Sequence, residues 1–444
     1  MSAEFLKTGE PLKAQWPLGR TLTLSLALLV ALAVGAGVFW SQRNKDTVIR
    51  LGILHAQTGP MAVSEKPMIE AELMAIDEIN AAGGVMGMKI EGVVVDTASS
   101  PQEAARKAET LITESKVAAI IGCWTSACRK AVKPVIESHE ALLIYPMAYE
   151  GLEASSNIIY TGAAPNQQVL PATNWAFSNL GKRFLLVGSD YIWPHAINAI
   201  IADQITTLGG QVAGEIYLPF GSLDASAIIE KIRETKPDVI LSSIVGDSNP
   251  PFYRALKQAG FTPEKMPVIS FSIAENEADA FDPQIIAGHY AAWGYFQSIE
   301  RPENTAFVER FKAHTKTTQS LSDVIETAYF SVHLWARAID RAESVDPGEV
   351  LSSMRGLSYN APEGIVTIDP STHHTWRNVN VGQVLSDGDI RIVWSADHAI
   401  RPVPYPHSRS VKEWDGLVED LYVRWKNNWI NPEGLSSLTE GGSL

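Results

Sequence analysis

The sequence predicts an α/β protein of two lobes, each a doubly wound parallel sheet, behind an N-terminal apolar helix. Short runs rich in Val, Ile and Leu alternate with segments whose apolar residues recur every three or four positions. Such runs read as strands buried on both faces, and the segments between them as helices that cover a parallel sheet. The alternation occurs in two series, one on either side of "TGAAPNQQ". One uncharged stretch near the N-terminus fits neither series.

The first series opens with "VIRLGIL" from Val48, a β-like run. A helix follows over Met68 to Ala82, with Ile69, Leu73, Ile76 and Ile79 on one face, and Gly83-Gly84 stops it. "KIEGVVVD" is the next strand, and Pro101 to Ser115 the next helix, with Ala104, Ala108, Leu111 and Ile112 on one side. "VAAII" and "ALLIYP" are short buried strands around a helix that starts near Ser126. In the second series, helices over Gln168–Leu180, Ala196–Leu208, Ala225–Thr235 and Pro251–Ala259 alternate with "RFLLVGSD", "QVAGEIYLP", "DVILSSIVGD" and "PVISFS". Beyond Trp293 the pattern changes. Asn304–Ala313 and Val324–Ala342 read as helices, "GIVTID" as a strand, and "NVNVGQVLSDGDIRIVW" as a hairpin turning at Asp387-Gly388. "WDGLVEDLYVRWKNNW" reads as a packed terminal helix.

The bulk properties narrow the function. The chain has 444 residues, 45% hydrophobic, with a net charge of −14. That is a globular composition. The acidic balance argues against nucleic acid and against adsorption to an anionic membrane surface. With 2 cysteines, no disulfide framework is expected. Leu22–Trp40, "LTLSLALLVALAVGAGVFW", carries no charge over about the length that crosses a bilayer. A signal peptide cleaved near Gly35–Gly37 fits the run, and so does an uncleaved anchor. Its length and its bulky end, Val38-Phe39-Trp40, favour the anchor, with residues 1–21 cytoplasmic and the chain after Gln42 extracytoplasmic.

Several motifs invite chemistry and have a plainer reading. The glycines of "AAGGVMGMK" follow a helix and precede a strand, the reverse of a dinucleotide fingerprint. His373-His374 lies in "DPSTHHTW" without further metal-ligand spacing and reads as a solvated loop. Cys123 and Cys128 lack the two-residue spacing of a redox pair, and Ser126 lacks a GxSxG frame. No catalytic base, metal or cofactor can be assigned, so no enzyme is expected. Strand ends are more informative, because ligands of open α/β sheets bind outside the carboxyl ends of strands. "GCWTSAC" places Trp124, Thr125 and Ser126 there, with helix capping by Ser126 as the plain alternative. Tyr145 and Tyr149, Tyr191 and Trp193, Asp247, and Glu275 end other strands. Together they predict one cleft between the lobes.

"LGILHAQTGPMAVSE", "AIDEINAAGGVMGMKI", "IIGCWTSACRKAVKPV", "YPMAYEGLEASSNIIYTGAAPNQQ", "VGSDYIWP" and "NAPEGIVTIDPSTHH" together resemble type I periplasmic binding proteins over about Val48 to Tyr405. Within these, the chain is most similar to the urea and short-chain amide branch. That branch includes the substrate-binding component of urea ABC transporters and a cytosolic sensor that controls amidase expression. The resemblance implies a clamshell, with lobe one at 48–165 and 297–345, lobe two at 166–296 and 346–405, and a C-terminal extension at 406–444. It further implies a ligand pocket of Trp124, Ser126, Tyr145, Met147, Ala148, Tyr191 and Trp193, with Glu275 from the second lobe. The chain departs from the sensor pattern at Trp124 and Trp193, where that protein has tyrosines, and at Met147-Ala148, where it has Thr-Pro. The function implied is binding of urea or a short amide and its delivery to an ABC permease. A tethered sensor with the same domain is the alternative.

Overall fold

The computed structural model of the protein describes residues 48–433. The stretch Leu22–Trp40 lies outside them. Among the described residues no helix is long and apolar enough to cross a membrane.

The first sheet contains β1 (Ile49–His55), β2 (Ile90–Asp96), β3 (Ala119–Gly122), β4 (Leu143–Tyr145) and β5 (Ile158–Tyr160), all parallel, in the order β2-β1-β3-β4-β5. The helices α1 (Ala62–Ala81), α2 (Pro101–Thr113) and α3 (Ser126–Ser138) connect these strands. Helix α1 begins six residues before the expected Met68 and runs through Pro67. At α2, Ser100 accepts the Glu103 N–H and Pro101 occupies the first turn, where its missing N–H costs nothing. Sequential strands run outward from β1 in both directions, so the order reverses between β1 and β3. That reversal opens a crevice at their carboxyl ends.

The second sheet repeats this plan with β6 (Arg183–Ser189), β7 (Gln211–Leu218), β8 (Val239–Ser243), β9 (Val268–Ser270) and β10 (Tyr290–Trp293). Its parallel strands alternate with α4 (Val169–Asn179), α5 (Ile192–Thr207), α6 (Ser226–Thr235), α7 (Asn249–Gln258) and α8 (Glu275–Ala280). Here the order reverses between β6 and β8. The chain then crosses back. Helices α9 (Pro302–Thr315) and α10 (Asp323–Ala342) pack on α1, and α11 (Pro347–Met354) packs on α10. A three-stranded antiparallel sheet follows, of β11 (Ser358–Ala361), β12 (Gly364–Ile368) and β13 (Thr375–Trp376), and it too lies against α10. Residues 346–376 therefore sit with the first sheet, whereas the sequence reading placed them in the second lobe. A last crossing leads to β14 (Asn380–Val384) and β15 (Ile390–Ser395), the antiparallel edge of the second sheet. The terminal helix is α12 (Val411–Arg424).

Arg377, fully buried, clasps the crossings. Its guanidinium donates to Asp323 at 2.9 Å, to Thr327 at 2.6 Å and to Glu363. Gln168 adds a bond from its side-chain amide to the Ala292 carbonyl at 2.8 Å. The pair His373-His374 is not a solvated loop. His374 is buried, bonds the Tyr149 hydroxyl, and stacks on Tyr160 with centroids 4.3 Å apart. Burial pushes its imidazole down to about 4, so it is neutral.

Candidate functional site

The stretch after β3 is a strand-to-helix joint. Gly122 has φ +146, and a Cβ there would lie 2.1 Å from the Leu54 carbonyl oxygen, so a side chain is excluded where β3 runs beside β1. Cys123 turns the chain at φ +64. Cys123 and Cys128 are joined in a disulfide, with Cα atoms 5.5 Å apart. One bridge is not a framework, and the pairing, which the sequence leaves open, forms because the first helical turn brings the two residues together. The bridge pins the joint to the helix it opens. Its loop is short, a sequence separation of 5, so loop entropy gives it about 2 kcal/mol. Reduction should lower the melting temperature accordingly, and identical melts with and without reductant would contradict this.

Thr125, not Ser126, caps α3, accepting the Cys128 N–H at 3.1 Å. Ser126 is thereby free to point inward. Its hydroxyl donates to Glu150 and accepts from the Arg129 guanidinium at 3.0 Å. Arg129 also donates to Glu150 at 2.8 Å and to Glu153 at 3.1 Å, and lies over the rings of Tyr145 and Tyr149 at 4.8 Å and 4.4 Å. Lys130 reaches Glu153 at 3.2 Å. Burial alone would raise the Glu153 carboxyl, but the Arg129 and Lys130 charges outweigh it and hold that group well below the usual range. Two cations thus balance two carboxylates in the interior, and neither Arg129 nor Glu150 is left to pair with a charged ligand.

Around this network stand aromatic residues from both lobes. Tyr145 donates its hydroxyl proton to the Trp124 carbonyl at 3.0 Å. Tyr191, at the end of β6, is buried 6.3 Å from Trp193 and 5.4 Å from Phe220, centroid to centroid. Burial, with Tyr145 and Glu150 close by, holds its phenol well above the usual range, so it stays protonated. Met147 and Ala148 are buried in the loop after β4. Among these aromatic residues, the indole N–H groups of Trp124, on the first lobe, and Trp193, on the second, are buried and unbonded. A buried donor left unpaired costs about 1–3 kcal/mol, which an acceptor on a bound molecule would recover.

The structure places the remaining expected residues elsewhere. Asp247, after β8, is exposed at the cleft mouth, and its backbone N–H donates to the Pro60 carbonyl of the first lobe at 3.3 Å. Gly246 beside it has φ +57 and so close an approach that a Cβ would lie 2.4 Å from that carbonyl oxygen. Glu275 opens α8 next to a crossing segment, where it accepts the Gln297 N–H at 2.8 Å. Burial pushes its carboxyl well above the usual carboxylate range. Sequence reasoning missed Glu150 and Arg129 as parts of the site. It also missed Ser248 and Asn249, fully buried with unpartnered side-chain atoms. These last two follow Asp247 directly, and their position after a strand was the available signal.

Two α/β lobes with facing crevices, polar and aromatic strand ends between them, and unpaired donors inside define a ligand-enclosing binding protein. The chain belongs to the periplasmic binding protein domain family, whose model matches residues 49–411. It is 25% identical over 356 residues to the leucine-, isoleucine-, valine-, threonine- and alanine-binding protein of Pseudomonas aeruginosa, covering 78% of this chain and 92% of that one. An ABC-transporter solute-binding protein of Rhodopseudomonas palustris, solved with p-hydroxybenzoic acid, superimposes with a TM-score of 0.74 at 22% identity, over 80% of this chain and 98% of the other. A leucine-binding protein of Thermotoga maritima gives 0.70 at 23% identity, over 78% and 98%. The family is that of solute-binding proteins. The narrower resemblance to a urea and amide branch is not shown by these relatives, two of which are named for amino acids and one of which was solved with an aromatic acid.

Proposed function

We propose that this chain is an extracytoplasmic solute-binding protein that closes on urea or a short-chain aliphatic amide and presents it to an ABC permease. The observation that carries this reading is the pair of unpaired indole N–H groups, one on each lobe, beside an internally neutralised charge network. A neutral carbonyl compound accepts such donors and needs no counter-ion. Ser126, whose proton is given to Glu150, positions Arg129 and Glu150 instead of donating to the ligand. The disulfide suits an oxidising compartment. On this reading Leu22–Trp40 anchors the mature chain to the inner membrane, and a mature N-terminus found near Gly37 would remove that part.

Calorimetry with urea, acetamide, leucine and 4-hydroxybenzoate tests the ligand class. Urea or acetamide should bind, and at 100 times the dissociation constant should stabilise the fold by about 2.7 kcal/mol. Binding of leucine or 4-hydroxybenzoate with urea and acetamide silent overturns the assignment. Trp193→Phe should weaken amide binding by about 1–3 kcal/mol while leaving the unliganded melting point unchanged or slightly higher, since it deletes an unpaired buried donor. Unchanged affinity in both Trp193→Phe and Trp124→Phe would place the ligand elsewhere.

A further inference from the structure

The C-terminal extension is fastened mainly to the second lobe. Trp414 of α12 is fully buried with Ala196 and Ile200 of α5, and Leu152 of the first lobe completes the cluster. Arg409 grips Asp203 through two bonds of 2.8 Å and 2.7 Å. Beyond α12 the chain turns back along the segment that carries Tyr191 and Trp193. Ile192 N–H donates to the Trp429 carbonyl at 3.0 Å, Asn431 N–H to the Asp190 carbonyl at 3.1 Å, and the Asn431 side-chain amide to the Asp190 carboxylate at 2.7 Å.

The same segment reaches the first lobe through weaker contacts. The Lys130 ammonium lies 5.2 Å from the Trp429 ring centroid, and Gln102 donates to Asn428 at 3.4 Å. Trp429 and Ile430 form one wall of a cavity of about 770 Å³ at the cleft mouth, with Pro60 and Pro101 of the first lobe and Phe220 and Asp247 of the second. Phe220 touches Tyr191, so this cavity adjoins the aromatic group.

We propose that residues 425–432 form a strap that moves with the second lobe and latches the cleft shut when Trp429 docks on Lys130. Opening would break the Lys130 and Gln102 contacts and keep the backbone bonds to Asp190 and Ile192. The strap covers the exit beside the indole donors and slows ligand release. This rests on reading the interlobe cleft as the ligand site, not on which ligand fills it.

Hydrogen exchange on the ligand-free full chain tests the latch, because the Asp247 N–H to Pro60 bond spans the lobes and reports closure directly. A cation–π contact of about 1 kcal/mol predicts that Trp429→Ala speeds exchange of the peptide containing Asp247 about fivefold. Lys130→Met removes the same contact but also strips Glu153 of a cation, so it should speed exchange by more than about fivefold, and Trp429→Phe should restore most of the protection. Stopped-flow release of urea should quicken by a similar factor in Trp429→Ala. Faster exchange without any urea binding supports the strap and defeats the ligand assignment alone. Unchanged exchange in Trp429→Ala and Lys130→Met overturns the strap, whatever urea does.

Discussion

Arg129→Met should destabilise the protein by about 3–5 kcal/mol and abolish ligand binding. Arg129 is fully buried, and its guanidinium is the partner of Glu150 and of Ser126, with Lys130 as the other cation on Glu153. Methionine keeps most of the side chain's volume but loses the guanidinium over the Tyr145 and Tyr149 rings, so the effect combines the charge with those ring contacts. Glu150 would then keep only Ser126 and Lys130, whose ammonium is 3.8 Å away. Leaving a carboxylate so poorly paired in the interior costs far more than the intact pair gains over an apolar substitute. The double variant Arg129→Met, Glu150→Met should recover most of the lost stability, because no lone charge remains. It should not recover binding, because Ser126 and the wall formed by Tyr145 lose their support. Denaturant unfolding of the three proteins checks this. Equal stability of Arg129→Met and wild type would show that the network carries little.

The contrast between Arg129 and Trp124 shows what the sequence can disclose. Trp124 follows an apolar run ending in glycine, and a residue there belongs to a strand end whatever the rest of the chain does. The strand ends at Tyr145, Tyr191 and Asp247 were legible for the same local reason. Arg129 lies in "SACRKAVK", which reads as the basic face of a helix turned to water. Its burial depends on Glu150 and Glu153 arriving from the β4–β5 connection, 21 and 24 residues later. Periodicity within one helix cannot register that. His374 was misread in the same way, since its burial depends on Tyr149 and Tyr160, more than two hundred residues away. That Thr125 caps the helix while Ser126 turns inward to Glu150 and Arg129 depends on one residue of helix register, finer than sequence patterns define. Glu275 was expected at a strand end, but β9 stops at Ser270 and Glu275 opens α8; its partner Gln297 lies on a crossing segment, and the chain's path between the lobes decides what such a residue faces.

Stability should fall as pH rises from 7 to 10, through a triad outside the ligand site. His55, at the end of β1, is fully buried between two carboxylates of α1: Nδ1 is 2.9 Å from Glu65, and Nε2 is 2.9 Å from Glu72. Burial alone would lower its pKa, but the Glu72 and Glu65 carboxylates outweigh it and raise the imidazole to about 10. A raised pKa means that the folded state holds the proton more tightly than the unfolded chain. Its contribution is therefore complete below about 6.5 and is lost as pH climbs towards 10. Over that span the loss is on the order of 4 kcal/mol. Glu72, also raised by burial, shifts stability in the same direction. His289 and His374 act on the other side of neutrality. Burial lowers each to about 4, so their contribution is present above 6.5 and is lost as pH falls towards 4. From the histidines alone, whose windows are separate, the optimum falls near pH 6–7; Glu72, whose loss begins at 4.5, moves it lower. Melting temperatures at pH 5, 7, 8.5 and 9.5 should trace that maximum, and the His55 ring proton should still report an imidazolium by NMR at pH 8. A ring that titrates near 6.5, or a flat profile from pH 7 to 9.5, would show that the triad holds a neutral histidine.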